Sequence, residues 1–199
     1  MTPLRPRVAG VLLYLGRRTM SDQSNQLRIE VRDDVRLSAI RECDKAAFVT
    51  FLNDRDIYNN TLRIPYPYSD EDAEKFIGIA ADATAKHGHP VHFAIRDESE
   101  QLIGGFGFDD LSYGHRAEIG YWLAKPNWGR GIMTDVVRSA CAFALAEWKL
   151  VRIMAHVFVL NTASARVLEK NGFEFEGLLR KHHRKDGRFL DSNLYALVT

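Results

Sequence analysis

Two cysteines, Cys43 and Cys141, are all that 199 residues supply. That excludes a disulfide framework and a cysteine-based zinc cage, and a reducing compartment is the default expectation. No metal site is expected. Long hydrophobic runs are missing too. The longest near the start is about 9 residues, Val8 to Gly16, too short to span a bilayer. Neither charge dominates: 27 Lys and Arg stand against 26 Asp and Glu, a net charge of +1. An overall basic footprint for nucleic acid is therefore absent. There is no internal repeat, low-complexity segment or inter-domain linker. What is present is 46% apolar residues, enough for the core of one domain.

The charge that exists is unevenly placed. Residues 1–20 carry Arg5, Arg7, Arg17 and Arg18 and no acid, so they hold +4 and the remaining 179 residues hold −3. Residues 1–26 are set aside as an N-terminal extension: a tail, a targeting segment or a misassigned start, with Met20 heading a polar stretch. The expected location is cytoplasmic, or mitochondrial if residues 1–20 are a transit segment. Residues 27–199 form the domain.

Alternation of apolar and polar residues predicts a strand over 28–40, broken by a turn at Asp33–Asp34. Helical spacing covers 44–53. A second helix follows Ser69, an N-cap placed before Asp70, Glu71 and Asp72, where carboxylates suit the helix dipole. A hairpin is predicted from 92–96 and 102–108, then a strand over 117–124, a helix from Gly131 to Trp148 and a strand over 151–160. A short helix over 164–171 ends at Gly172, and a last strand spans 190–198. RKHHRK (180–185) reads as a solvated basic loop. The strand–helix–strand crossover makes two strands parallel and the hairpins make others antiparallel. The class is α+β with a mixed sheet.

The loop NWGRGIMT (127–134) sits between a strand and a helix. Gly129 and Gly131 allow a tight turn that gathers backbone N–H groups at a helix N-terminus, a cradle for phosphate. Arg130 can add a charged fork and Thr134 a hydroxyl. A bare G-x-G is equally at home in a structural turn. The third glycine of a dinucleotide fingerprint falls at Thr134, and no P-loop motif occurs. About thirty residues on, Asn161 and Ser164 stand where a strand hands over to a helix. Helix capping is the simplest role for either.

Together these segments resemble the GNAT superfamily of acetyl-CoA-dependent N-acetyltransferases, in the branch of the ribosomal-protein N-terminal (Ala/Ser) acetyltransferases. Four segments carry the resemblance in order: PYPYSDEDAEKFI (65–77), AEIGYWLAKPNWGRGIMTDVV (117–137), NTASARVLEKNGFEFEGLLR (161–180) and DGRFLDSNLYALV (186–198). Trp128 and Met133 depart from the general superfamily loop. The resemblance implies a mixed, mostly antiparallel sheet splayed between its fourth and fifth strands, with acetyl-CoA as cosubstrate in the opening. It implies that the backbone of Trp122 and Leu123 bonds the pantetheine arm. The N–H groups of Gly129, Arg130, Gly131, Ile132, Met133 and Thr134 take the pyrophosphate. Asn161 bonds the pantetheine, and Ser164 lies near the thioester sulfur as the acid.

The base is left between Glu118, on the fourth strand, and His183, where some N-terminal acetyltransferases place a glutamate. His115 is a third choice. The bland alternative for Glu118 is a surface carboxylate paired with Arg116 or another cation. Cys141 reads as inert core, and Cys43 is flanked by acids that disfavour a thiolate. The expected acceptor is a primary amine, a protein N-terminus first. A small-molecule amine such as a polyamine, amino acid or antibiotic is the alternative, and a non-catalytic acyl-CoA-binding module a further one. Neither nucleic acid nor membrane is expected as a partner; a monomer or homodimer is.

Overall fold

The structure is a computed structural model describing residues 27–199; the expectations for residues 1–26 lie outside the described residues. Eight strands form one sheet: β1 (Ile29–Arg32), β2 (Val35–Ala39), β3 (His92–Asp97), β4 (Leu102–Ser112), β5 (Arg116–Leu123), β6 (Arg152–Phe158), β7 (Glu174–Lys185) and β8 (Arg188–Val198). Their order is β1-β2-β3-β4-β5-β6-β8-β7. Neighbours are antiparallel except β5 and β6, which are parallel. Five α-helices cover the faces: α1 (Lys45–Leu52), α2 (Arg55–Asn60), α3 (Asp70–His87), α4 (Ile132–Glu147) and α5 (Thr162–Glu169). This is the expected α+β class.

Local chemistry sets several boundaries. Ser69 caps α3 in a capping box with Asp72, and Gly88 closes it in the left-handed region at φ 76°. The Asp33–Asp34 turn splits β1 from β2, as the alternation predicts. Two elements differ from the sequence reading. Helix α2 goes unforeseen, because six residues give little periodicity to read; Asp54 caps it by accepting from the N–H groups of Asp56 and Ile57. The basic segment 180–185 is the end of β7, not a solvated loop. As an edge strand exposed on most of its length, β7 has no alternating apolar signal.

Each face of the sheet has its own core. On one, α4 buries Ile132, Val136, Val137, Ala140 and Ala144 against Phe93, Ile95, Ile119 and Ile153. On the other, α1 and α3 pack Phe48, Leu52, Ala73 and Ile77 against Ala94 and Trp122. Close packing on this second face explains Gly105 and Gly107 of β4. A Cβ on Gly105 would lie 2.4 Å from the Trp122 indole nitrogen, and one on Gly107 2.6 Å from the His92 ring.

A buried ion pair ties this face to the sheet edge. Arg96 is 1% exposed and donates to both carboxylate oxygens of Asp44, at 2.7 and 2.9 Å. It also donates to Ser38 Oγ at 2.6 Å and to the carbonyls of Ala39 and Glu100. A guanidinium out of water is tolerable only with such complete pairing. Removing the carboxylate charge with Asp44→Asn leaves the cation uncompensated. Urea denaturation is expected to show a loss of about 3–5 kcal/mol.

Candidate active site

Strands β5 and β6 pair at three positions only, Arg116↔Arg152, Ala117↔Ile153 and Glu118↔Met154. Beyond Glu118 both continue, β5 to Leu123 and β6 to Phe158, without another rung between them. Among the described residues, one edge of β5 is therefore left without a strand partner from residue 119 onward. Successive residues of a strand present their N–H and C=O to opposite edges. Ala124 N donates to Ile103 O on the β4 side. The alternation then turns Trp122 to β4, and Tyr121 and Leu123 to the opening. Of the two residues expected to bond the pantetheine arm, Leu123 thus turns its backbone to the opening, while Trp122 turns its own to β4 and lays its indole over Gly105. The Leu123 carbonyl accepts from Trp128 Nε1 at 2.7 Å, which pins the following loop to the strand end.

That loop leads into the N-terminus of α4. Gly129 and Gly131 both lie in the left-handed region, at φ 73° and 75°, with open space where a Cβ would sit. Gly131 is the N-cap, so no side chain caps the helix. Among the described residues the first-turn N–H groups of Ile132, Met133 and Thr134 have no acceptor, and they stand at the positive end of the dipole. The Ile132 and Met133 side chains turn into the core, so the bulk of Met133 is kept out of the loop. Arg130 donates to Asn127 Oδ1 at 3.2 Å, and its carbonyl accepts from Arg32. Asn171, which the sequence reading passed over, donates to the carbonyl of Thr134 at 3.1 Å and to that of Val167. It fastens the end of α5 to the start of α4.

Asn161 caps α5, its Oδ1 accepting from Ser164 N at 3.1 Å. Capping is thus its role within the fold, and its NH2 has no partner among the described residues. Ser164 Oγ lies 2.8 Å from the hydroxyl of Tyr121. Burial pushes the Tyr121 phenol well above the usual range, so it is a neutral hydrogen-bonding group. Its place opposite Ser164 has no sequence signal, since it depends on α5 docking over β5.

The opposite face carries the titratable groups. Glu118 Oε1 lies 3.0 Å from Nδ1 of His156, so the carboxylate's partner is an imidazole on β6 and not Arg116. The hydrogen bond His156 makes to Glu118 raises its imidazole above the ordinary histidine value, against the effect of burial. The ring of His182 stacks on His156 at 4.8 Å, and that of His183 stands edge-on at 6.1 Å. Burial, followed by the neighbouring His182 and His156, lowers His183.

In register with Glu118 stands Asp109, which meets His92 Nε2 at 3.3 Å and Arg63 Nη2 at 2.9 Å. Burial alone would raise its carboxyl, but His92 and Arg63 outweigh it and hold Asp109 low. Across the site, the β7–β8 turn is tied to α2. The Tyr58 hydroxyl donates to Asp186 at 2.6 Å, and Lys185 donates to the carbonyls of Tyr58 and Thr61. Glu118 and His183 thus fall in one cluster. His115 does not: its carbonyl accepts from Val151 and Arg152 at the far end of β5. Cys141 is buried, which raises its thiol to about 12, and Cys43 is exposed. Among the described residues no three His, Cys, Asp or Glu side chains converge as metal ligands, and no helix is long and apolar enough to cross a membrane.

The chain is similar to proteins of one enzyme family. The profile of the acetyltransferase (GNAT) domain matches residues 34–174. The uncharacterized N-acetyltransferase YoaA of Bacillus subtilis is 38% identical over 104 residues, 52% of this chain and 59% of that protein. The chain thus spans about three fifths of that relative's length. The ribosomal-protein-serine acetyltransferase of Escherichia coli is 28% identical over 173 residues, 85% of this chain and 96% of that protein. Among solved structures, Mycobacterium smegmatis RimJ in complex with CoA-disulfide superposes with a TM-score of 0.74 at 25% identity, covering 82% of this chain and 81% of that one. A sheet parted beside an uncapped helix start, and a profile match over well over half the chain, give one conclusion: this chain belongs to the GNAT acetyltransferase family.

Proposed function

We propose that the chain transfers an acetyl group from acetyl-CoA to the α-amine of a polypeptide N-terminus. The observation that carries the reading is the opening between β5 and β6, with an unpaired strand edge on one side and free helix-start donors at its end. An extended, amide-bearing arm ending in a pyrophosphate fits that chemistry. Tyr121 and Leu123 offer the strand edge. The loop Gly129–Thr134 offers N–H groups to the anion, with Arg130 alongside. Asn161 offers its NH2.

The chemistry divides between the two faces. The amine must be neutral to attack the thioester carbonyl; the departing sulfur needs a proton. Ser164, hydrogen-bonded to Tyr121, is the donor for the sulfur. Base function centres on Glu118 and the imidazoles around it. An α-amine has a reference pKa near 8, so an appreciable share is neutral near pH 7.5, whereas a lysine-type amine near 10.4 is almost wholly charged. A site whose carboxylates, Glu118 and Asp109, are each engaged by an imidazole suits the first. The E. coli relative that matches most of this chain is named for a ribosomal-protein serine, which supports the same class of acceptor.

Acetyl-CoA is expected to raise the melting temperature, by about 2.7 kcal/mol of stabilisation at a hundredfold excess over Kd. In Gly131→Glu the shift is expected to vanish, because a carboxylate then occupies the anion cradle. Gly131→Ala carries the same left-handed strain and serves as the control that keeps the shift. Release of CoA thiol is expected with peptides beginning in Ser or Ala and not with spermidine. Turnover of spermidine alone would overturn the choice of acceptor.

A further inference from the structure

The Glu118–His156 pair has the form of an oriented base rather than of a single carboxylate. A carboxylate can only accept hydrogen bonds, so the 3.0 Å contact requires Nδ1 of His156 to carry the hydrogen. In the neutral ring that leaves the lone pair on Nε2. This atom has no hydrogen-bond partner among the described residues, and it is not among the sealed polar atoms. The pair stands at the last rung of the β5–β6 ladder: Glu118 pairs with Met154, and His156 follows two residues later on the same face, where the strands have parted. We infer that Nε2 of His156 takes the proton from the attacking amine, with Glu118 as the carboxylate that fixes the ring and supports its charge. The inference rests on the acetyl-transfer reading and assigns the base within it.

The step balances as follows. The amine nitrogen forms a bond to the thioester carbon and loses one proton to Nε2. The C–S bond breaks, and its electron pair leaves with the sulfur. The sulfur takes a proton from the Ser164–Tyr121 hydroxyl pair, which is restored from water, while the imidazolium returns its proton to water. No oxidant or further reactant enters.

General chemistry and the surroundings of the pair both favour the imidazole over its neighbours. A general base works best with a pKa near the working pH; the reference values are about 6.5 for imidazole and about 4.3 for a glutamate. Glu118 moves His156 further toward neutrality from below. His183 moves the other way, lowered by burial and by the neighbouring His182 and His156. The groups around the pair are Glu118 on β5, Asp109 on β4, Arg63 ahead of α3, and His182 and His183 on β7, while β8 places the apolar Leu194 opposite His156. Arg63 is neutralised by Asp109, which leaves Glu118 as the carboxylate that sets the ring's charge.

The test is the pH profile of kcat/KM, measured by CoA thiol release from acetyl-CoA with a Ser-initiated peptide, for wild type, His156→Gln and Glu118→Gln. In wild type the rate is expected to rise as pH passes an apparent pKa above 6.5. His156→Gln is expected to lower kcat by about a hundredfold or more, to remove that limb and to keep the acetyl-CoA melting shift. Glu118→Gln retains an acceptor for Nδ1–H, so a smaller loss is expected, with the limb moved to lower pH. A His156→Gln enzyme with the wild-type profile, or a Glu118→Gln enzyme that is dead while His156→Gln is active, overturns the assignment and leaves acetyl transfer standing. Absence of amine-dependent CoA release from the wild type would bring down both.

Discussion

Two parallel strands that pair for three residues and then part are the constraint on which the rest of the site depends. Before the divergence, β5 and β6 are held by α4, which crosses over one face and makes the strands parallel. After it, β5 stays in register with β4 as far as Leu123, while β6 follows β8 to Phe158. The gap is bounded by strands that are each satisfied on their other side, so it can persist without collapse of the sheet. The loop leaving β5 then turns through two left-handed glycines and begins α4 without a capping side chain. Unpaired backbone on the strand and unpaired N–H groups on the helix thus come from one stretch of chain, residues 119–134.

The same divergence sorts the side chains. Alternation along β5 sends Glu118 to one face and Tyr121 to the other. On the first, the carboxylate meets His156, with His182 and His183 beside it. On the second, Tyr121 meets Ser164 at the start of α5. A group suited to accept a proton and a group suited to give one stand on opposite sides of the strand that borders the opening. The β7–β8 turn, bound to α2 through Tyr58, Lys185 and Asp186, borders the proton-accepting side. The buried Arg96–Asp44 pair secures the wall that α1 and α3 build behind it.

Much of this was legible in the sequence because it is local. Ser69 with Asp72 marked the start of α3, the alternation over 28–40 marked two strands and their turn, and Gly129 and Gly131 marked the turn into α4. Those signals lie within a few residues of what they determine. The reasons for Gly105 and Gly107 lie on the neighbouring strands, in the Trp122 indole of β5 and the His92 ring of β3. The pairing of Glu118 with His156 joins residues 38 apart in sequence, and that of Tyr121 with Ser164 residues 43 apart; neither leaves a local trace. His156 looked like any polar position of an alternating strand. The basic run 180–185 misled because charge on an edge strand and charge in a loop read alike.

The measurement that tests the central claim most directly is amide hydrogen exchange, resolved by residue, with and without acetyl-CoA. A cosubstrate lying along the open edge of β5 is expected to slow exchange at Tyr121, Leu123 and the Ile132–Thr134 amides. Trp122, already bonded to β4, is expected to stay as it was. Protection confined to another surface, or none at these amides in the presence of saturating acetyl-CoA, would contradict the account.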